Sequence, residues 1–171
     1  EASAGNTAPA LAMVCAAKGY KARFVLYRHM VEGGKNARVL ITQAYGAEVR
    51  ASSEPTAYLS RDQLDAILRK HPNISSDLPN VLAGKTDCGH EEARDPECVW
   101  VDQIFNKHNY LGQMEMGRET YDQLDGQIDA VGCSVAAGGS LYGMCLGLAE
   151  KGLRPPLVFA VVPHASESYF S

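Results

Sequence analysis

From Thr7 to Lys18 nearly every residue is Ala, Leu, Met, Val or Cys, with Pro9 in the first turn and Gly19 just past the end. Proline near the start and glycine after the last turn bracket a helix over that stretch. Being apolar all round, it is expected to be covered on most sides, and its alanines suit close approach to a parallel sheet. Ala22 to Tyr27 reads as a short strand. Lys35 to Tyr45 carries Val39, Leu40 and Ala44 on one helical face and stops at Gly46, after which Ala47 to Ala51 returns as a strand, giving β-α-β. Ser60 with Gln63 has the form of a capping box. It opens a helix whose Leu64, Ile67 and Leu68 make one stripe ending near Pro72, so this helix is expected to be superficial.

Between Lys85 and Glu97 the residues Asp87, Glu91, Glu92, Asp95 and Glu97 face only Lys85 and Arg94, which concentrates most of the net charge of -4 in one stretch. A solvated loop is expected there. Cys98 to Val101 then reads as a strand, Glu115 to Leu124 as a helix, Ile128 to Val135 as a buried strand, Leu141 to Lys151 as a helix and Leu157 to Val162 as a last strand. The alternation predicts an α/β fold with parallel sheets flanked by helices. No internal repeat or low-complexity tract interrupts it.

Composition narrows what such a fold does. A chain of 171 residues can bury one sizeable core or two small lobes. Sixteen Lys and Arg against twenty Asp and Glu leave no sequence-wide cationic field, so nucleic acid is not an expected partner. No apolar run approaches the roughly 20 residues that span a bilayer. The first residues lack the basic-then-apolar order of a signal peptide, so a soluble protein with no membrane partner is expected. Five cysteines, an odd number at irregular spacing, point to a reducing, cytoplasmic setting. Cys88, His90 and Cys98 are possible metal ligands close together, but without a paired C-x-x-C no metal is expected. The seven lysines fall at helix ends, loops or polar faces, and the five histidines lack H-x-x-x-H spacing, so no catalytic residue is assigned.

Two junctions between strand and helix look built for anions. The first is Ser3-Ala4-Gly5-Asn6-Thr7 and the second Ala136-Ala137-Gly138-Gly139-Ser140, each just before a helix. Unpaired amides and the positive end of the helix dipole attract carboxylates or phosphates there, while glycine permits close approach and Ser or Thr adds a hydroxyl donor. On composition alone, Gly-Gly-Ser before a helix is often only a tight turn and Ser-x-Gly-Asn-Thr often only a helix cap, and both readings stay open.

The order of these segments adds to that picture. Ser3-Ala4-Gly5-Asn6-Thr7 runs into Ala8-Pro9-Ala10-Leu11-Ala12. Tyr45-Gly46-Ala47-Glu48-Val49 enters a strand, and Gly117-Arg118-Glu119 follows. Ile128-Asp129-Ala130 leads to Ala136-Ala137-Gly138-Gly139-Ser140, and Val161-Val162-Pro163 precedes Ser166. In that order, over almost the whole chain, these resemble T-S-G-N-T-G-x-x-L-A, Y-G-A-E-V, a T-G-P-E-I turn, I-D-A with G-T-G-G-T, and V-E-P-x-x-S. Those are the segments of the fold-type II pyridoxal-phosphate enzymes, within them the cysteine synthase and cystathionine β-synthase group.

The resemblance implies a pyridoxal 5'-phosphate cofactor and β-replacement or β-elimination on a small amino-acid substrate. Asn6 would hydrogen-bond the phenolic oxygen of the pyridoxal ring, and Ser3, Gly5 and Thr7 would receive the substrate carboxylate. Gly138, Gly139 and Ser140, with the amide of Ala137, would cradle the cofactor phosphate. Ala4 stands where the family has a hydroxyl residue, and Ala136 and Ala137 replace a Gly and a Thr. Residues 1–104 would form the smaller, substrate-loop lobe with an acidic insertion, and residues 105–171 the first part of the larger, cofactor-phosphate lobe. The family's Schiff-base lysine precedes the first loop, and no lysine here matches it. The fold is therefore expected to be incomplete at both ends, with the cofactor noncovalent and the isolated chain inactive. It would be completed by another polypeptide or further parts of its own chain, as an oligomer. Two alternatives stay open. One is a non-catalytic subunit or interaction module of the same fold; the other is an unrelated phosphate- or nucleotide-binding α/β domain, which has no G-x-G-x-x-G or Walker A motif to support it.

Overall fold

Phe24, Val25 and Leu26 are consecutive apolar residues, and a strand sends alternate side chains to opposite faces, so such a run needs cover on both sides. The computed structural model, which describes residues 1–3, 5–70 and 78–162, supplies that cover. It divides into two compact units, the first Glu1–Asp102 and the second opening at Gln103. The first runs β1 (Ala2–Ser3), α1 (Thr7–Lys18), β2 (Arg23–Leu26), α2 (Arg28–Glu32), α3 (Ala37–Ala44), β3 (Glu48–Ala51), a 3-10 turn at Pro55–Ala57, α4 (Arg61–Lys70) and α5 (Leu78–Arg94). Its strands form a parallel sheet in the order β1-β2-β3, with Ser3 paired to Leu26 and Leu26 to Ala51. Phe24 and Leu26 pack with Ala8 and Ala12 of α1, Met30 of α2 and Val39 of α3. Val25 faces α5, where Gly84 allows close approach: a Cβ at Gly84 would lie 3.7 Å from Val25 Cγ1 and 3.4 Å from Ala2 Cβ. The three β2 residues are 2, 3 and 1% exposed.

Local signals place the helix ends. Gly19 caps α1 in the left-handed conformation at φ 76°, which glycine adopts without a Cβ clash. The capping box is reciprocal: the Ser60 amide donates to Gln63 Oε1 at 2.8 Å, and the Gln63 amide donates to Ser60 Oγ at 3.2 Å. Leu64 and Ile67 are half-buried. The expected end near Pro72 lies outside the described residues.

Other expectations are corrected. The acidic stretch is not a loop but most of α5. Asp87 and Glu91, one helical turn apart, both accept hydrogen bonds from Arg50 of β3, and Lys85 pairs with Asp102 at 2.6 Å, so the charges are matched by distant partners. Cys98 to Val101 is not a strand; Trp100 donates its amide to Glu92 Oε1 at 2.9 Å instead of joining a sheet. On α3 the buried residues are Val39 and Thr42, while Leu40 and Ala44 are exposed. Helix α1 buries only its Ala8 and Ala12 edge and leaves Met13 and Val14 exposed.

The second unit runs α6 (Lys107–Gln123), β4 (Ala130–Ser134), α7 (Gly139–Glu150) and β5 (Leu157–Val161), with β4 and β5 parallel. Its core is Ile128, Val131 and Leu148. Helix α6 starts eight residues before the expected Glu115, because Asn106 caps it by accepting from the His108 amide at 3.0 Å. Gly117-Arg118-Glu119 therefore lies inside a helix and is not a turn. The buried strand expected over Ile128 to Val135 is narrower and only partly buried: Val131 is covered, while Ala130, Gly132 and Ser134 are exposed. Every residue of β5 is exposed. Glycines set the contact between α6 and α7: a Cβ on Gly143 would collide with the Tyr110 carbonyl, and one on Gly147 with that of Met114. Contact partners rise in number together along both helices, so the two run parallel with their amino ends at the same side.

Candidate functional site

In open α/β sheets ligands gather at the carboxyl ends of the strands. In the first unit Ser3 ends β1 there and begins the loop into α1. Ser3 is buried, and its Oγ accepts the Gly5 amide at 3.1 Å, which leaves the hydroxyl proton able to donate. Asn6 occupies the N-cap position with φ -77° and ψ -7°, yet its side chain does not cap the helix. Its Oδ1 instead accepts from Arg38 Nε at 3.1 Å. Thr7 opens α1 half-buried, and no acidic residue sits in the first turn to offset the positive end of the dipole. Ala4 lies outside the described residues.

At the same edge the segment after β3 is anchored to α5. Buried Asp87 accepts from the Ser53 amide at 2.8 Å, Ser53 Oγ at 2.7 Å, the Tyr58 hydroxyl and Arg50. Burial pushes the Asp87 carboxyl up, but the donors from Tyr58, Ser53 and Arg50 outweigh it and hold it below its ordinary range. The same hydrogen bond to Asp87 raises the Tyr58 hydroxyl. These groups are fully engaged with each other, so they make a clamp and not a reactive centre.

In the second unit Gly138 leaves β4 in the left-handed conformation at φ 83° and turns the chain into α7. Its N-cap residue, Gly138, has no side chain to cap α7, and the first turn of the helix has no acidic residue. Ala137, Gly138 and Gly139 border a cavity of about 200 Å³, which Asn106, Asn109, Tyr110 and Tyr142 also line. Two parallel helices thus point their amino ends at one small space. Asn109 packs against Gly139, where a Cβ would come within 3.0 Å of its Nδ2, and its amide donates to the Gln103 carbonyl. The Tyr110 and Tyr142 rings meet edge-on at 5.1 Å. Ser140 and Ala136 are exposed and do not line the cavity.

A larger cavity, about 440 Å³, lies at the opposite, amino end of β2 and is bordered by Cys15, Cys88, Cys98 and Trp100. Burial pushes the Cys88 thiol up, which keeps it protonated and a poor nucleophile. All five cysteines are free, and among the described residues no group of three His, Cys, Asp or Glu could hold a metal. No helix among them is long and apolar enough to cross a membrane.

Sequence reasoning missed Arg38, Asn106, Asn109 and Tyr142. Only Asn106 left a local signal, an asparagine just before a helix; the others are set by contacts between elements distant in the chain.

A strand, a left-handed glycine and a helix entered without a side-chain cap make the strand-to-helix turn of an α/β fold, and comparison with known families narrows which fold it is. The family described as "Pyridoxal-phosphate dependent enzyme" matches residues 1–171, and the chain belongs to it. That removes the unrelated phosphate- or nucleotide-binding domain. The chain is 27% identical over 167 residues to a cystathionine beta-synthase of Dictyostelium discoideum, covering 97% of this chain and 28% of that protein. To cysteine synthase 1 of Emericella nidulans it is 31% identical over 145 residues, 84% of this chain and 32% of the relative. Among solved structures, a cysteine synthase from Entamoeba histolytica superposes with a TM-score of 0.70 at 21% identity, over 95% of this chain and 40% of that one. The α/β fold of parallel sheets and flanking helices is thus that of the fold-type II pyridoxal-phosphate enzymes. The chain spans less than half the length of these relatives.

Proposed function

We propose that this chain is part of a pyridoxal-phosphate enzyme of the cysteine synthase kind, working by β-replacement or β-elimination on a small amino acid. The observation that carries the reading is the uncapped amino end of α7, entered through left-handed Gly138 and opening on a cavity of about 200 Å³. Backbone amides there, backed by a helix dipole and with no acidic residue in the helix's first turn, fit a phosphate. The amides of Ala137, Gly138 and Gly139 and the hydroxyl of Ser140 hold it, and Ser140, outside the cavity lining, contributes least. On the first unit, Asn6 offers its amide to the phenolic oxygen, and Ser3, Gly5 and Thr7 receive the substrate carboxylate. Gly5 leaves room for close approach, since a Cβ there would meet nothing within 4 Å among the described residues. When bound, the cofactor supplies the electron sink for chemistry at the substrate's α and β carbons. The protein's part is to orient ring and carboxylate and to hold charge.

In this reading residues 1–104 are the substrate-loop lobe and residues 105–171 the first part of the cofactor-phosphate lobe. The chain holds the cofactor noncovalently and turns over only with another polypeptide or further parts of its own chain, as an oligomer. The free cysteines support a reducing compartment, the cytoplasm. Titration with pyridoxal 5'-phosphate, followed by borohydride reduction and mass spectrometry, tests it. Saturable binding with no adduct on the seven lysines is expected. An adduct on any of them overturns the noncovalent assignment, and no binding at all favours the non-catalytic subunit.

A further inference from the structure

A guanidinium carries only N–H donors, so the Asn6 atom facing Arg38 Nε at 3.1 Å is necessarily the amide oxygen. That settles which way the amide is turned. Its NH2 group points away from Arg38 and has no partner among the described residues. An exposed asparagine at an N-cap position has two easy alternatives. It can rotate by half a turn, exchanging oxygen for nitrogen, or it can swing its oxygen toward the Ala8 amide in the first turn of the helix it precedes. Either would present an acceptor, or nothing, to an incoming anionic oxygen.

We propose that Arg38 is a positioning residue: by holding the Asn6 oxygen it makes the loop present a donor, and so selects a ligand with an anionic ring oxygen. The arginine is itself well placed. Its backbone amide donates to the N-cap Asn36 Oδ1 at 3.0 Å, its carbonyl accepts Thr42 Oγ1 at 2.7 Å, and Val39 beside it is buried against α1. No ion pair among the described residues neutralises it, so its charge adds to the positive field at the start of α1. This inference rests on the cofactor reading for the identity of the ring oxygen, though not for the orientation of the amide.

The test compares pyridoxal 5'-phosphate with its 3-deoxy analogue, which lacks the phenolic oxygen, on wild type, Arg38→Met, Arg38→Lys, Asn6→Ala and the Asn6→Ala/Arg38→Met double variant. Arg38→Met is expected to weaken the cofactor about tenfold, as for loss of a hydrogen bond to a charged acceptor, and the analogue less than about twofold. Arg38→Lys restores most of the difference, and Arg38→Met has no further effect once Asn6 is Ala. The Asn6 side-chain NH2 resonances shift in Arg38→Met and stay near their wild-type positions in Arg38→Lys. Equal weakening of both compounds, or an undiminished effect in the Asn6→Ala background, reduces Arg38 to a plain charge and overturns the proposal. Wild type binding neither compound overturns the cofactor reading instead. The Asn6 resonances then decide alone: if Arg38→Met leaves them unmoved, Arg38 does not orient the amide.

Discussion

The two sheets carry similar apolar strands and treat them in opposite ways. In the first unit β2 is closed on one face by α1, α2 and α3 and on the other by α5, and its three apolar residues are almost fully buried. In the second, α7 covers Val131 of β4, while Leu157, Val158, Phe159 and Val161 of β5 remain about half exposed. A run of apolar residues therefore records that a strand is built to be covered, and says nothing of whether the covering element is local. The first unit supplies its own, and the second supplies one side.

The sharpest way to break this comparison is a matched pair of truncations. Leu26→Ala is expected to cost about 3–4 kcal/mol, because it empties a fully buried site, whereas Val158→Ala on β5 costs under about 1 kcal/mol. Urea unfolding of both variants checks it, and comparable losses would mean that β5 is covered after all.

Next in size is the clamp. Asp87→Asn is expected to lose about 2 kcal/mol, less than for a wholly buried pair because Arg50 is partly exposed. Since the folded Asp87 carboxyl is held below its ordinary value, its contribution is complete above about pH 4 and fades as pH falls through the lower folded value. Wild type therefore has an acid limb in its stability profile that Asp87→Asn lacks. In the second unit, Asp122→Asn removes the exposed partner of Lys151 and should leave both midpoint and profile in place. An acid limb unchanged in Asp87→Asn would remove the clamp from the comparison.

On the binding side, Gly139→Val should weaken pyridoxal phosphate more than tenfold and Ser140→Ala about twofold, since the branched side chain meets Asn109 and blocks the backbone while the hydroxyl is one donor of several. Equal, unchanged dissociation constants would move the phosphate away from this loop. The smallest effects are expected at helix caps, one in each unit. Ser60→Ala and Asn106→Ala should each cost about 0.5–1 kcal/mol by denaturant midpoint. Similar values would show that capping is insensitive to how well a unit is covered.

What the sequence made legible was written in neighbours. Pro9 with Gly19, and Ser60 with Gln63, mark helix ends because their partners lie within a few residues, and both candidate loops stood out as small residues before a helix. The misreadings come from contacts that span the chain. The acidic stretch looks like a solvated loop until Arg50, some forty residues earlier, takes up Asp87 and Glu91. Arg38 is 32 residues from Asn6, and Asn109 reaches Gly139 only because two helices lie side by side. Leu40 and Val39 are equally hydrophobic in sequence, and only the direction of α1 decides which is buried.

Along the seam of α6 and α7 the chain touches itself through main-chain atoms at Gly117, Gly143 and Gly147. Side chains relax by hopping between rotamers, but peptide groups have none, so these helices can roll or slide only by parting along much of their length. The turn at Gly138 is joined to that seam through Gly139, which packs on Asn109 of α6. In the proposed cofactor reading, motion that the seam removes on folding need not be surrendered on binding, which favours affinity without any added contact.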